Sequence, residues 1–193
     1  MASAKTAASS ASGSPSTATL GLLITGSAIL VKYAMDHNLL PALPALGPPA
    51  KTKPFATFSE FYPHYLGEHA AAGTKYFHFV GTTLMALFVA AHPELLASFA
   101  SAGVVGFALF PMLRHLESGA LEMAAMLSVF LMVGKALTGS WRTAFTPMLI
   151  GYGFAWMGHF FVEHNKPATF IYPLYSLIGD FRMYYDFFPF FRV

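Results

Sequence analysis

The chain has 193 residues, of which 55% are apolar and only 10% are charged. A soluble domain has about a quarter of its residues charged, so a compact soluble fold of this length would have too few charges to cover its surface. A lipid-facing surface removes that difficulty. The net charge of +2 comes from scattered basic residues, which argues against nucleic-acid binding because that function needs a basic stripe. The chain has no cysteine, which excludes disulfides, iron–sulfur clusters and thiol catalysis and leaves histidine, carboxylate and backbone oxygen as metal ligands.

The N-terminal part differs in composition from the rest of the chain. Residues 1–18 are rich in Ala, Ser and Thr, which is typical of a disordered tail or a targeting segment. Residues 19–35 are apolar but short, and they are interpreted as an N-terminal anchor helix or a signal-peptide core. Residues 36–54 contain five prolines and are interpreted as an extended linker. The main domain is therefore predicted to occupy residues 55–193.

Four apolar stretches of this domain approach the roughly 20 residues that a helix needs to cross a bilayer. They are Phe77 to Ala91, Leu95 to Leu113, Leu121 to Leu137 and Phe145 to Val162. The first and third are short, so tilted or partly interfacial helices are expected there. Small residues are frequent in these stretches and favour close helix packing in lipid. The sequence thus predicts an all-α fold, a polytopic membrane bundle of about four core transmembrane helices, with the anchor helix added.

The connections between these stretches divide the basic residues unequally. Alternation puts residues 36–76, 114–120 and 163–193 on one side of the membrane, and this side has seven Lys and Arg residues. The other side has Arg142, with Lys135 near the end of its helix. By the positive-inside rule, the first side is predicted to be cytoplasmic.

Six of the eight histidines fall near that same predicted face. They are His64, His69, His78, His115, His159 and His164. His92 is on the opposite side, and His37 belongs to the anchor region. A neutral imidazole is the commonest metal ligand, and histidine with carboxylate but no thiolate suits non-haem iron, manganese or zinc. For any single one of these histidines, a hydrogen bond to a neighbour or to water is the alternative.

Two acidic residues follow histidines at a spacing that fits such a site. Glu163 lies four residues after His159, and Glu68 lies four residues after His64. On an α-helix, residues four apart share one face. His64 and His164 are further candidates, as residues that would orient the ligands, whereas His37, His92 and His115 are expected to make ordinary hydrogen bonds.

Four segments together resemble a known membrane family. They are FYPHYLGEH from Phe61 to His69, HFVGT from His78 to Thr82, GYGFAWMGHFFVEHNKPATF from Gly151 to Phe170, and YPLYSLIGDFRM from Tyr172 to Met183. The chain is similar, over about residues 55–186, to the family typified by the fungal 2-hydroxy fatty acid dioxygenase of phytosphingosine degradation.

This resemblance implies an enzyme of the endoplasmic reticulum that uses Fe(II) and O₂. Its substrate would be a long-chain 2-hydroxy fatty acid, which α-oxidation shortens by one carbon. The family's motifs place the catalytic metal ligands at His69, His78 and His159, with Glu163 as a fourth ligand or as the residue that orients His159. His164 stands where relatives often have Lys, so it is left out of the core site.

The basic residues of the last segments are candidates for binding the substrate's carboxylate. Lys166 and Arg182 both lie on the predicted cytoplasmic side, near the motif segments. Such residues also serve simply to anchor a membrane protein in its orientation, and the sequence leaves both roles open.

Two other functional classes remain open from the sequence. The chain could be a non-catalytic relative that acts as a structural subunit of a membrane complex or as a lipid-binding scaffold, because catalysis needs neither an N-terminal anchor nor a Pro-rich linker. It could also be a different metal-dependent lipid enzyme, such as a hydroxylase or hydrolase. A mitochondrial membrane is the alternative location to the endoplasmic reticulum. Membrane lipid is an expected partner in each case.

Overall fold

The computed structural model describes residues 43–187, and within this range the protein is all-helical, without strands. The α-helices are α1 (Phe58–Gly67), α2 (Ala72–Ala91), α3 (Leu95–Leu113), α4 (Ala120–Thr138), α5 (Trp141–Met157) and α6 (Pro173–Phe187). A π-helical turn (Gly158–Glu163) continues α5, and a 3₁₀ turn (Ala168–Phe170) precedes α6. The all-α prediction is therefore confirmed for the described residues. The predicted tail and anchor helix lie outside them.

The four central helices run antiparallel because their connections are too short for any other arrangement. His92 and Pro93 begin the turn between α2 and α3, and Gly139 closes α4 in a left-handed conformation (φ 69°) that glycine adopts readily. Helix α3 packs on α4, α4 on α5, and α5 on α2. Helix α6 contacts α2, α3 and α4, so five helices surround a common interior.

Helix α2 approaches α5 and its π turn closely because glycines on each side face side chains of the other. A Cβ atom added to Gly81 would lie 2.7 Å from the Cβ of Phe154, and one added to Gly158 would lie 3.0 Å from Cγ2 of Thr74. Both distances are too short for a side chain to be accepted without movement. This close packing fixes the first turns of α2 against the end of α5.

By length and composition, two helices of the described part could cross a membrane, and the predicted count of four spans is not confirmed. The two are α3, which coincides with the predicted stretch, and α4. Only 28% and 22% of their apolar windows are buried within the protein, so most residues of these windows are partly or fully exposed. Met132 on α4, for example, is 64% exposed. Helix α5 has only 17 residues before the π turn begins.

The Pro-rich segment has no helix over residues 43–54, and it is bound to the helical core. The backbone N–H of Ala50 donates to the carbonyl of Arg114 (3.0 Å), and Nε of Arg114 donates to the carbonyl of Lys53 (3.1 Å). Lys53 is fully buried, and its Nζ donates to the carbonyl of Ser118 (3.3 Å). The segment therefore fastens the connection between α3 and α4.

Candidate metal centre

Three histidines from three different elements converge in the interior. His69 lies between α1 and α2, His78 lies in the second turn of α2, and His159 lies in the π turn. One ring nitrogen from each falls within 4.8 Å of the others, and the ring centroids are 4.5, 4.6 and 5.2 Å apart. All three side chains are buried. Such a group could bind a metal ion.

His78 is held by a carboxylate from the last helix. Its Nδ1 lies 2.7 Å from Oδ1 of Asp180, and the hydroxyl of Tyr65 donates to the same oxygen (2.6 Å). Loss of contact with water raises the pKa of Asp180, but the charge and hydrogen bond of His78 and the hydrogen bond of Tyr65 outweigh this effect, and the pKa lies below its usual value. Asp180 is therefore an ionised acceptor, so His78 carries its proton on Nδ1.

His69 is held by the backbone of α1. Its Nδ1–H donates to the carbonyl oxygen of Tyr65 (2.6 Å), one helical turn earlier. Burial, followed by the nearby charge of His78, lowers the pKa of His69 to about 3. The ring is therefore neutral at physiological pH, as a metal ligand must be.

His159 is held by a side chain from the segment that follows the π turn. Its Nδ1 lies 2.7 Å from Oδ1 of Asn165, and Nδ2 of Asn165 donates to the carbonyl of Glu68 (2.9 Å). The second bond orients the amide so that its oxygen accepts from His159. His164 adopts a left-handed conformation (φ 54°) that turns the chain back, and the N–H of Asn165 then donates to the carbonyl of His159 (3.1 Å).

These contacts leave the same nitrogen of each ring free for a ligand. Because every Nδ1 donates to an oxygen, Nε2 is the nitrogen of each ring that is left to bind a metal. The Nε2 atoms of His69 and His78 have no hydrogen-bond partner among residues 43–187, although both are buried. A buried polar atom without a partner is costly, and a metal ion would satisfy it. Rings held through Nδ1 by oxygen acceptors are also typical of metal-binding histidines, so the residues fit a metal.

Glu163, the fourth ligand that the resemblance implies, is not part of this cluster in the structure. Its Oε1 accepts a hydrogen bond from the backbone N–H of Ala71 (2.7 Å), at the start of α2. Glu163 therefore ties the π turn that contains His159 to the helix that contains His78. This contact places the two histidines relative to each other, while the carboxylate itself is occupied.

The other described histidines lie outside the cluster and make different contacts. His64 lies 3.5 Å from Glu68, and His92 lies 3.6 Å from Glu94. The remaining two are His115, which donates to a backbone carbonyl, and His164, which is exposed. His37 falls outside the described residues.

The two basic residues considered for the substrate's carboxylate do not line the interior. Lys166 is exposed, and Nε of Arg182 lies 3.0 Å from both carboxylate oxygens of Asp186 on the surface. Neither borders the cavity next to the histidines.

The three histidines form one end of a cavity that extends between the helices. It has about 1060 Å³ of empty space, its mouth included. Near the histidines its wall contains polar groups, among them Asp180 and Thr82. The rest of its wall is mostly apolar and comes from α2 to α6. These apolar residues include Met85, Phe99, Met126, Phe130, Met148 and Phe181.

A helical bundle with three buried histidines at the end of an apolar cavity belongs to the class of candidate metalloproteins that could act on an apolar molecule. The comparison with known families is consistent with this class. The chain belongs to the Mpo1-like family, described as 2-hydroxy-palmitic acid dioxygenase Mpo1-like, whose model matches residues 55–111 and 122–191. The matched ranges include His69, His78 and His159. No individual curated protein and no solved structure matches the chain.

Proposed function

We propose that this protein is an Fe(II)-dependent dioxygenase that uses O₂ to convert long-chain 2-hydroxy fatty acids to fatty acids one carbon shorter, with CO₂ from the original carboxyl group and water as the other products. The observation that supports this most directly is the position of the three histidines. Their free Nε2 atoms face one another at the end of a cavity whose remaining wall is largely apolar. The family description names a 2-hydroxy fatty acid as the substrate of a dioxygenase, and a fatty acid has the polar head and long apolar tail that such a cavity can hold.

The donor set agrees with non-haem iron. Three imidazole ligands leave coordination positions open, and the chain has no thiolate that would favour zinc or an iron–sulfur cluster. Fe(II) held by His69, His78 and His159 would supply the redox chemistry by which O₂ reacts with an organic substrate. Glu163 is better explained as the residue that fixes the π turn to α2, because its carboxylate accepts from Ala71.

The surrounding residues would prepare the three rings for this task. Asp180, Asn165 and the Tyr65 carbonyl each accept the Nδ1 proton of one ring, which fixes its tautomer and its orientation. The substrate's carboxylate and hydroxyl group would lie at this polar end, and its tail would extend between the helices.

The outward-facing apolar surface supports a membrane location for this reaction. The windows of α3 and α4 that are apolar enough to span a bilayer are mostly unburied, and a fatty acid partitions into lipid. We place the protein in the membrane of the endoplasmic reticulum, as the resemblance implies, with the histidine end at the cytoplasmic face.

The test is reconstitution of the purified full-length protein with Fe(II) under anaerobic conditions, followed by addition of O₂ and 2-hydroxypalmitate. The expected product is pentadecanoate, and it should require both iron and O₂. Protein that binds iron but yields no shortened acid from any 2-hydroxy fatty acid would contradict the proposed reaction. Protein that binds no metal would favour the non-catalytic scaffold.

A further inference from the structure

Two aromatic rings lie among the lining residues that are farthest from the histidines. Phe99 on α3 and Phe130 on α4 both line the cavity, and their rings meet edge to face with centroids 4.7 Å apart. On each of helices α2 to α5, one lining residue lies farthest from the end that contains the histidines. These four residues are Met85, Phe99, Phe130 and Pro147. They form the floor of the cavity, and the two rings are its largest members.

The length of the cavity can be estimated along two helices. His78 and Met85 are seven residues apart on α2, and His159 and Pro147 are twelve apart on α5 and its π turn, which corresponds to about 10 and 18 Å at a rise of ~1.5 Å per residue. An extended chain covers about 1.2 Å per bond, because the three backbone bonds of an extended residue span roughly 3.3–3.6 Å. The cavity is therefore long enough for about 9 to 15 carbon–carbon bonds of a straight alkyl tail.

We infer that Phe99 and Phe130 set the upper limit on the length of the acyl chain that this protein accepts. The inference rests on the proposed function, because it takes a fatty acid with its polar head at the histidines as the ligand. The walls above the floor include the flexible side chains of Met85, Met126 and Met148, which adapt easily to a tail. The floor adapts less easily to a tail than these methionines do, because its two rings pack edge to face and neither can move without the other.

Once the acyl tail reaches the floor, additional carbons do not increase the binding free energy. Each methylene that stays unburied lacks the favourable contribution of about 0.8 kcal/mol, which is about fourfold in affinity. Removal of one ring should open the next helical turn of the cavity. A turn is about 5.4 Å long, which corresponds to about four carbon–carbon bonds at the extended spacing given above.

The experiment measures which chain lengths bind, independently of turnover. Full-length protein in lipid nanodiscs is incubated with an equimolar series of saturated 2-hydroxy fatty acids that differ by two carbons. The bound acids are then quantified by mass spectrometry against empty nanodiscs. Phe99→Ala and Phe130→Ala should each move the upper limit to acids about four carbons longer, by the one-turn estimate. Ala102→Phe, which adds a ring to the cavity wall one turn closer to the histidines, should move the limit to shorter acids.

Phe107→Ala is the matched control, because Phe107 lies on α3 but does not line the cavity. Its profile should equal that of the wild type. An unchanged profile in Phe99→Ala and Phe130→Ala, with binding retained, would overturn the inference and leave the proposed function standing. An equal shift in Phe107→Ala would overturn it as well. If no acid binds above the empty nanodiscs, both the inference and the proposed substrate fail. If Phe130→Ala does not fold, Phe99→Ala and Ala102→Phe decide the matter.

Discussion

Replacement of Asp180 by Asn tests whether the histidines are held for metal binding. Asp180 accepts hydrogen bonds from Nδ1 of His78 (2.7 Å) and from the hydroxyl of Tyr65 (2.6 Å). A hydrogen bond to a charged acceptor contributes about 1.5–3 kcal/mol, and one to a neutral acceptor about 0.5–1.5 kcal/mol. The substitution should therefore cost about 1–1.5 kcal/mol in the orientation and basicity of His78, which is roughly tenfold in metal affinity.

Metal affinity is measured by equilibrium dialysis of the folded protein against graded concentrations of a chelator. Asp186→Asn is the control, because Asp186 lies on the same helix and also accepts from a tyrosine hydroxyl, that of Tyr62 (2.7 Å). It does not border the cavity, so this variant should keep the affinity of the wild type. Equal affinities for wild type and Asp180→Asn would refute the reasoning, as would an equal loss in both variants.

Three further predictions concern stability and topology. The pKa of His69 is lowered to about 3, so below about pH 6.5 the unfolded chain takes up a proton that the folded chain does not. The metal-free protein should therefore be most stable above that pH, and its free energy of unfolding should fall by up to about 1.4 kcal/mol per pH unit toward pH 3. A melting temperature that is independent of pH would contradict this. Lys53→Met should destabilise the protein by about 1–3 kcal/mol, because it removes the charge that acts on buried Glu122. In thermal unfolding, the double variant with Glu122→Gln should recover part of this loss. Additive losses of the two substitutions would exclude the coupling between the two residues. Since the chain has no cysteine, a membrane-impermeant maleimide should label Glu117→Cys but not Arg142→Cys in sealed microsomes, and the reverse pattern would refute the predicted orientation.

The three histidines could be predicted from the sequence because each lies near a helix end at the same predicted membrane face. The hydropathy pattern identified these helix ends, and the motif segments indicated which histidines to choose. The partners of the histidines could not be found in this way. Asp180 is 102 residues from His78 along the chain, and only the packing of α6 against α2 brings them together. A lone carboxylate within the aromatic segment YPLYSLIGDFRM was the available signal.

The hydrogen bond between Glu163 and Ala71 could not be predicted from the sequence. The spacing of four residues puts Glu163 and His159 on one face of a helix, but it does not say which backbone group of another element the carboxylate meets. In the structure these residues belong to a π turn, in which the hydrogen bonds run from i to i+5, and Oε1 of Glu163 accepts from the N–H of Ala71. Local widening of this kind follows from tertiary packing and is not evident in a hydropathy pattern.

The most direct test of the account is the metal content of the full-length protein and of its histidine variants after reconstitution with Fe(II). We predict close to one iron per chain for the wild type and for His92→Ala, since His92 lies at the opposite end of α2. We predict strong loss of iron from His69→Ala, His78→Ala and His159→Ala, each measured on folded protein. Full iron content in the three variants, or a loss in His92→Ala as large as theirs, would contradict the assignment of the metal centre.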